Sequence, residues 1–70
     1  MKLSARNILK GTVTKIIRGA VNSEVIIRLD GGTAEVVAVI TNESVDSMAL
    51  KEGKPAYAVI KASSVMVAVD

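Results

Sequence analysis

The 70-residue sequence has no cysteine, histidine, tryptophan or phenylalanine, and only one tyrosine, Tyr57, and one proline, Pro55. Without cysteine there is no disulfide, and without cysteine or histidine there is no transition-metal ligand set. The carboxylates are spread singly over the chain, so no acid/base pair is visible, and a serine nucleophile would have only a lysine to activate it. The expectation is a protein that is not an enzyme. A single aromatic side chain also argues against a stacking platform for nucleotides, where each stacked base contributes about 1–3 kcal/mol, and equally against a pterin ring. No apolar run reaches the length of a membrane span and no signal-type apolar segment follows the N-terminus, so a soluble, cytoplasmic protein without membrane association is expected. Neither charge sign dominates: nine basic and seven acidic residues give a net charge of +2. They lie scattered, which leaves no extended surface for a polyanion but keeps a small anion open.

What is present is aliphatic. Half of the residues are hydrophobic, in a chain so short that folding alone hides only about 60% of its unfolded surface. Small domains usually meet this shortage with disulfides, a metal or self-association, and the first two are excluded here. A homo-oligomer is therefore expected from burial alone.

Period-two alternation places strands at Ile8–Arg18, Val21–Asp30, Thr33–Ile40, Ala56–Lys61 and Val65–Val69. In the first, Leu9, Gly11, Val13 and Ile17 fall on one face, Gly11 marks a bend, and the alternation falters from Lys15 to Ile17. In the second, Val25, Ile27 and Leu29 point inward and Ile26 outward. Asp30-Gly31-Gly32 is a hairpin turn. The third strand carries Val or Ala on both faces, which favours a subunit interface. Thr41-Asn42-Glu43-Ser44 opens a short helix containing Val45, Met48 and Ala49 at helical spacing, and Lys51 to Pro55 ends it. The last strand is apolar on both faces, as at a sheet centre or against a partner. The fold expected is all-β: one domain over residues 1–70, an OB-like five-stranded barrel with one short helix between strands three and four.

A small tetrahedral oxyanion needs positive charge and several N–H or O–H donors. Arg6 and Lys61 supply two cations and Ser4 a hydroxyl near Arg6. Thr41 and Ser44 add two more hydroxyls at the start of the helix, where free backbone N–H groups also point outward. Thr41 reads equally as a plain helix cap.

The stretch Ser4-Ala5-Arg6-Asn7 with Ile8-Leu9-Lys10-Gly11, then Ile40-Thr41-Asn42-Glu43-Ser44, Leu50-Lys51-Glu52-Gly53 and Val59-Ile60-Lys61-Ala62-Ser63 resembles the molbindins, the molybdate-binding (Mop) proteins with a TOBE-type domain, over nearly the whole chain. The resemblance implies an OB-like barrel assembled as a hexamer, a trimer of dimers, that binds molybdate or tungstate where subunits meet and serves intracellular molybdenum storage and homeostasis. It assigns Ser4, Arg6 and Lys61, with the backbone about Ala5 and Ala62, to one wall of the site, and Thr41 and Ser44 of a neighbouring subunit to the facing wall. It also implies sites near a three-fold axis, for which Gly19, Ala20, Val21 and Asn22, after Arg18, are the candidates. Bare oxyanion is expected as the ligand and not a pterin. The alternative is an OB-fold module for nucleic acid or protein interaction without an oxyanion, resting on fold analogy and a pI near 9.2.

Overall fold

The long first strand organises the molecule because it pairs twice. In the computed structural model, which describes residues 1–70, β1 (Asn7–Arg18) is followed by β2 (Asn22–Leu29), β3 (Glu35–Thr41), the helix α1 (Asn42–Ser47) and β4 (Pro55–Ile60), with a 3₁₀ turn at Ala62–Ser64. The sheet order is β3-β2-β1-β4 and every neighbour is antiparallel. Asn7–Thr12 of β1 pairs with β4, whereas Gly11–Arg18 pairs with β2. The two partners overlap at Gly11 and Thr12, so Gly11 lies opposite both Leu29 and Ala56.

At that crossing β1 must let β2 approach closely. A Cβ on Gly11 would press into the carbonyl oxygen of Arg28 and come within 2.8 Å of Ile27 Cγ2. Glycine is needed here for the space it leaves.

A bulge between Val13 and Lys15 accounts for the faltering alternation. The extra residue, Thr14, donates its hydroxyl to the Ile26 carbonyl at 3.3 Å. Beyond it the facing set changes, so Ile16, opposite Val25, packs on the core. Ile17, expected inside, is opposite Glu24 and 43% exposed. A one-residue insertion exchanges the two faces of everything downstream in a strand.

Val13, Val25, Ile27, Val45 and Ala58 form the buried core, with Ile16, Leu29, Val36, Ile40, Leu50 and Ala56 partly covered around it. Val45 is the buried side chain of α1, which starts where Thr41 Oγ1 accepts from the Ser44 N–H. The helix ends at Ser47 with Met48 as its C-cap, and Ala49 is left-handed at φ 51°. Lys54 Nζ donates to the Met48 and Ala49 carbonyls at 2.9 and 3.2 Å, placing a positive charge on the electronegative end of the helix. Gly31, at φ 84°, turns the β2–β3 hairpin as Asp30-Gly31-Gly32 predicts.

The all-β, OB-like architecture with one helix between the third and fourth strands is present, with four strands in the sheet. The fifth expected strand, Val65–Val69, has no partner within the chain. Ser64 N–H to the Lys61 carbonyl and Val65 N–H to the Ala62 carbonyl close the 3₁₀ turn, and the residues beyond it make no sheet pairing. Met66, Val67 and Val69 are more than 90% exposed. Alternation in the sequence records a preference for extended backbone, while a strand also requires a neighbour to receive its hydrogen bonds.

Gly11→Ala is expected to lower the stability by about 1–3 kcal/mol, the usual cost of forcing an extra methyl into a packed position. Urea denaturation reads this as a lower midpoint; an unchanged midpoint would contradict the close approach of β1 and β2.

Candidate functional site

The register of β1 with β4 brings the two ends of the sequence together. Asn7 lies opposite Ile60, so the residues just before β1 and just after β4 leave the sheet side by side. The Asn7 amide strengthens this clasp by donating Nδ2 to the Ile60 carbonyl at 3.2 Å. Between the two emerging segments lies an open groove of about 580 Å³ lined by Ser4, Ala5, Arg6, Val59, Lys61, Ala62 and Ser63.

Five residues expected in one wall of a site, Ser4, Ala5, Arg6, Lys61 and Ala62, are thus brought together across more than fifty positions of sequence. The lining includes no carboxylate. The two ion pairs of the chain, Arg18 with Asp46 and Arg28 with Glu35, lie elsewhere and leave the Arg6 and Lys61 charges uncompensated by a protein anion. The guanidinium offers a planar fork of donors and the ammonium a mobile point charge. Ser4 and Ser63 contribute hydroxyls. An anion that fits the groove meets two cations and several donors without competing against an internal carboxylate.

Ser63 and Val59 lie in the Val59–Ser63 stretch of the sequence, which by itself carries no signal for a place in the groove. Ser63 becomes visible only once the 3₁₀ turn folds the chain beyond Lys61 back toward the groove. Asn7 closes the Ser4–Asn7 stretch, and its role is set by the β1–β4 register.

Thr41 and Ser44 do not line this groove in the same chain. Thr41 Oγ1 donates to Ser44 Oγ at 2.9 Å and accepts from the Ser44 N–H at 3.0 Å, so the pair caps α1.

The turn proposed from the resemblance for a second site is held by its own chain. Gly19 N–H donates to the Asn22 carbonyl at 2.8 Å, Asn42 Nδ2 donates to the Gly19 carbonyl at 2.9 Å, and Asn42 N–H donates to the Val21 carbonyl at 2.8 Å. The buried Ser23 hydroxyl donates to Asn42 Oδ1. Asn42 therefore fastens the start of the helix to the β1–β2 connection. Ala20 and Val21 are exposed at the tip. Arg18 is engaged, its NH1 and NH2 donating to the two Asp46 oxygens at 3.0 and 3.3 Å. That hydrogen bonding, and secondarily the guanidinium charge, holds the Asp46 carboxyl below the usual carboxylate range and raises Arg18 further.

The chain is similar to known proteins in both sequence and fold. The family model described as the TOBE domain matches residues 3–67. The chain is 49% identical over 68 residues to the molybdenum transport protein ModE of Herbaspirillum seropedicae, covering 97% of this chain but 25% of that protein. It is 47% identical to a probable molybdenum-pterin-binding protein of Haemophilus influenzae over the full length of both. Among solved structures, the cytoplasmic molybdate-binding protein ModG, in a crystal form with molybdate bound, superposes with a TM-score of 0.88 and 55% identity over 94% of this chain and 46% of that one. A molybdate-binding protein from Sporomusa ovata superposes with a TM-score of 0.90 and 35% identity over 99% of this chain and all of that one.

The Asp46 pair carries a pH signature. A carboxyl held low stabilises the fold above its unfolded pKa, and that contribution is lost as pH falls through the lower folded value. Both partners are solvent-exposed, so the effect on stability is small. In an NMR titration Asp46 should titrate below a free aspartate, and Arg18→Ala should move it up into the ordinary range; an identical titration in both proteins would contradict the pairing.

Proposed function

The chain belongs to the TOBE domain family, in its molbindin (Mop) branch, and from that premise we propose that it binds the molybdate oxyanion in the groove between Ser4–Arg6 and Lys61–Ser63. The observation that carries this reading is the convergence of Arg6 and Lys61, both free of internal ion pairs, in one groove that no carboxylate lines. A tetrahedral dianion is matched there by two positive charges. The guanidinium fork can address two oxygens at once, and the Ser4 and Ser63 hydroxyls and the backbone about Ala5 and Ala62 can address the others. Relatives described as binding molybdate, or a molybdenum pterin, are consistent with molybdenum as the element carried.

The groove is open on one side, and an anion seated there in a lone chain would keep much of its hydration. In the proposed assembly, a hexamer built as a trimer of dimers, a neighbouring subunit covers it and presents Thr41 and Ser44 as the facing wall. Water is then excluded and the charged hydrogen bonds strengthen. Tungstate, with the same charge and shape, is the expected substitute. The ligand is proposed to be the bare oxyanion, because Tyr57 is the one side chain that could stack on a pterin and it stands half exposed on β4, outside the groove lining. Reversible binding without catalysis fits intracellular storage and buffering of molybdenum in the cytoplasm.

Equilibrium dialysis against molybdate tests the site. The folded wild type should take up molybdate to saturation. Arg6→Ala and Lys61→Ala should each weaken binding by about 10- to 150-fold, the equivalent of losing one charged hydrogen bond of roughly 1.5–3 kcal/mol. No saturable uptake by folded wild type would overturn the function, and full affinity in both variants would overturn the residue assignment.

A further inference from the structure

The ladder between β1 and β4 finishes differently at its two ends. Away from the groove it runs on past Thr12 and Pro55, where Val13 N–H donates to the Lys54 carbonyl at 2.9 Å and Gly53 N–H donates to the Val13 carbonyl at 2.8 Å. At the groove it stops at Asn7 and Ile60, and no backbone hydrogen bond joins Ser4–Arg6 to Lys61–Ser63. The last cross-link before the groove is made by a side chain, Asn7 Nδ2 donating to the Ile60 carbonyl at 3.2 Å. Beyond it, Lys61–Ser64 is stiffened by its own 3₁₀ turn, in which the Ser64 N–H donates to the Lys61 carbonyl. Ser4–Arg6 have no such bond, and only their link to Asn7 places them.

That one bond sits between the two cations. The Ile60 carbonyl belongs to the peptide that leads into Lys61, and the Asn7 nitrogen belongs to the peptide that leads out of Arg6. Arg6 and Lys61 are exposed, and no carboxylate lines the groove between them. Without an anion their like charges therefore act to spread the two exits, at the end of a ladder where a sheet opens first. In water such a repulsion is of the same order as the net worth of one hydrogen bond, so a single amide suffices to resist it. The residue type matters as well. Asparagine supplies a donor without a charge, whereas an ionised aspartate of the same size could only accept and would set a carboxylate beside both cations.

We propose that Asn7 is a positioning residue of the oxyanion site: its amide holds Arg6 and Lys61 together before the anion arrives. Binding then does not have to draw two mutually repelling segments into place. Asn7 is no ligand itself, because it is absent from the groove lining and its amide is turned to Ile60. The inference rests on the proposed site and adds how that site is held ready.

Equilibrium dialysis with molybdate on the wild type, Asn7→Ala, Lys61→Ala and the double variant tests it. Asn7→Ala should weaken binding about 3- to 10-fold, the range of one neutral hydrogen bond, with the number of molybdate ions per chain unchanged. In the Lys61→Ala background the same substitution should cost less than about twofold, because no second cation is left to position. A residue that acts only through general stability costs the same in both backgrounds. A second measurement needs no variant: in the NMR spectrum of anion-free wild type, the Asn7 side-chain amide protons should exchange with water more slowly than those of the exposed Asn22. Unchanged affinity in Asn7→Ala, an equal loss in both backgrounds, or an Asn7 amide that exchanges as fast as that of Asn22 would each overturn the role of Asn7 while leaving the site itself standing. No saturable uptake by the wild type would overturn the site and this role together.

Discussion

Too little of this chain can be buried by the chain itself, and the rest of its architecture follows from that constraint. Only seven of seventy residues are buried, although half are hydrophobic. Hydrophobic burial at about 25 cal/mol per Å² must outweigh the conformational entropy of every ordered residue, and in a domain this small the two nearly cancel. With neither cysteine nor histidine, the chain keeps its remaining apolar surface available on the outward face of β3, where Val37 and Val39 are exposed, and on the tail beyond Ser64. These surfaces are costly to leave in water and natural to cover with further copies.

The same constraint shapes the proposed site. The groove lies where the chain enters and leaves the sheet, held by the Asn7–Ile60 pairing and by the Asn7 amide. One chain provides a charged wall and an open side. In a monomer the two cations would meet an anion already well hydrated. In the proposed assembly, a second subunit over the groove would make the same charges more effective and add donors from the facing wall, so that ligand binding and assembly would draw on the same surfaces. By linkage, an anion that binds better in the assembled state also stabilises the assembly.

Much of the fold was legible in the sequence because it rests on local patterning. Alternation over β2 placed Val25 and Ile27 inside, Asp30-Gly31-Gly32 gave the hairpin, and Thr41 gave the helix start. What stayed hidden depends on pairing between distant segments. The bulge at Thr14 decides that Ile16 and not Ile17 faces the core, and it is set by the register of β1 on β2. The tail reads as a strand but has no partner in its own chain. At the site, Arg6 and Lys61 could be named as cations, yet their convergence and the part played by Asn7 come from the β1–β4 register. Composition and spacing left the oxyanion one reading among several; resemblance to the molbindins gave the residues their roles, and the groove shows that the charged wall can be built within one chain.

The central claim is that oxyanion binding belongs to the assembly and not to the single chain. Native mass spectrometry of the intact protein, with and without molybdate, tests it most directly. The account predicts an assembly of several chains, six in the proposed arrangement, carrying molybdate in a fixed whole-number ratio, with no molybdate retained on any monomer released from it. A monomer that holds molybdate as tightly as the assembly does would contradict it.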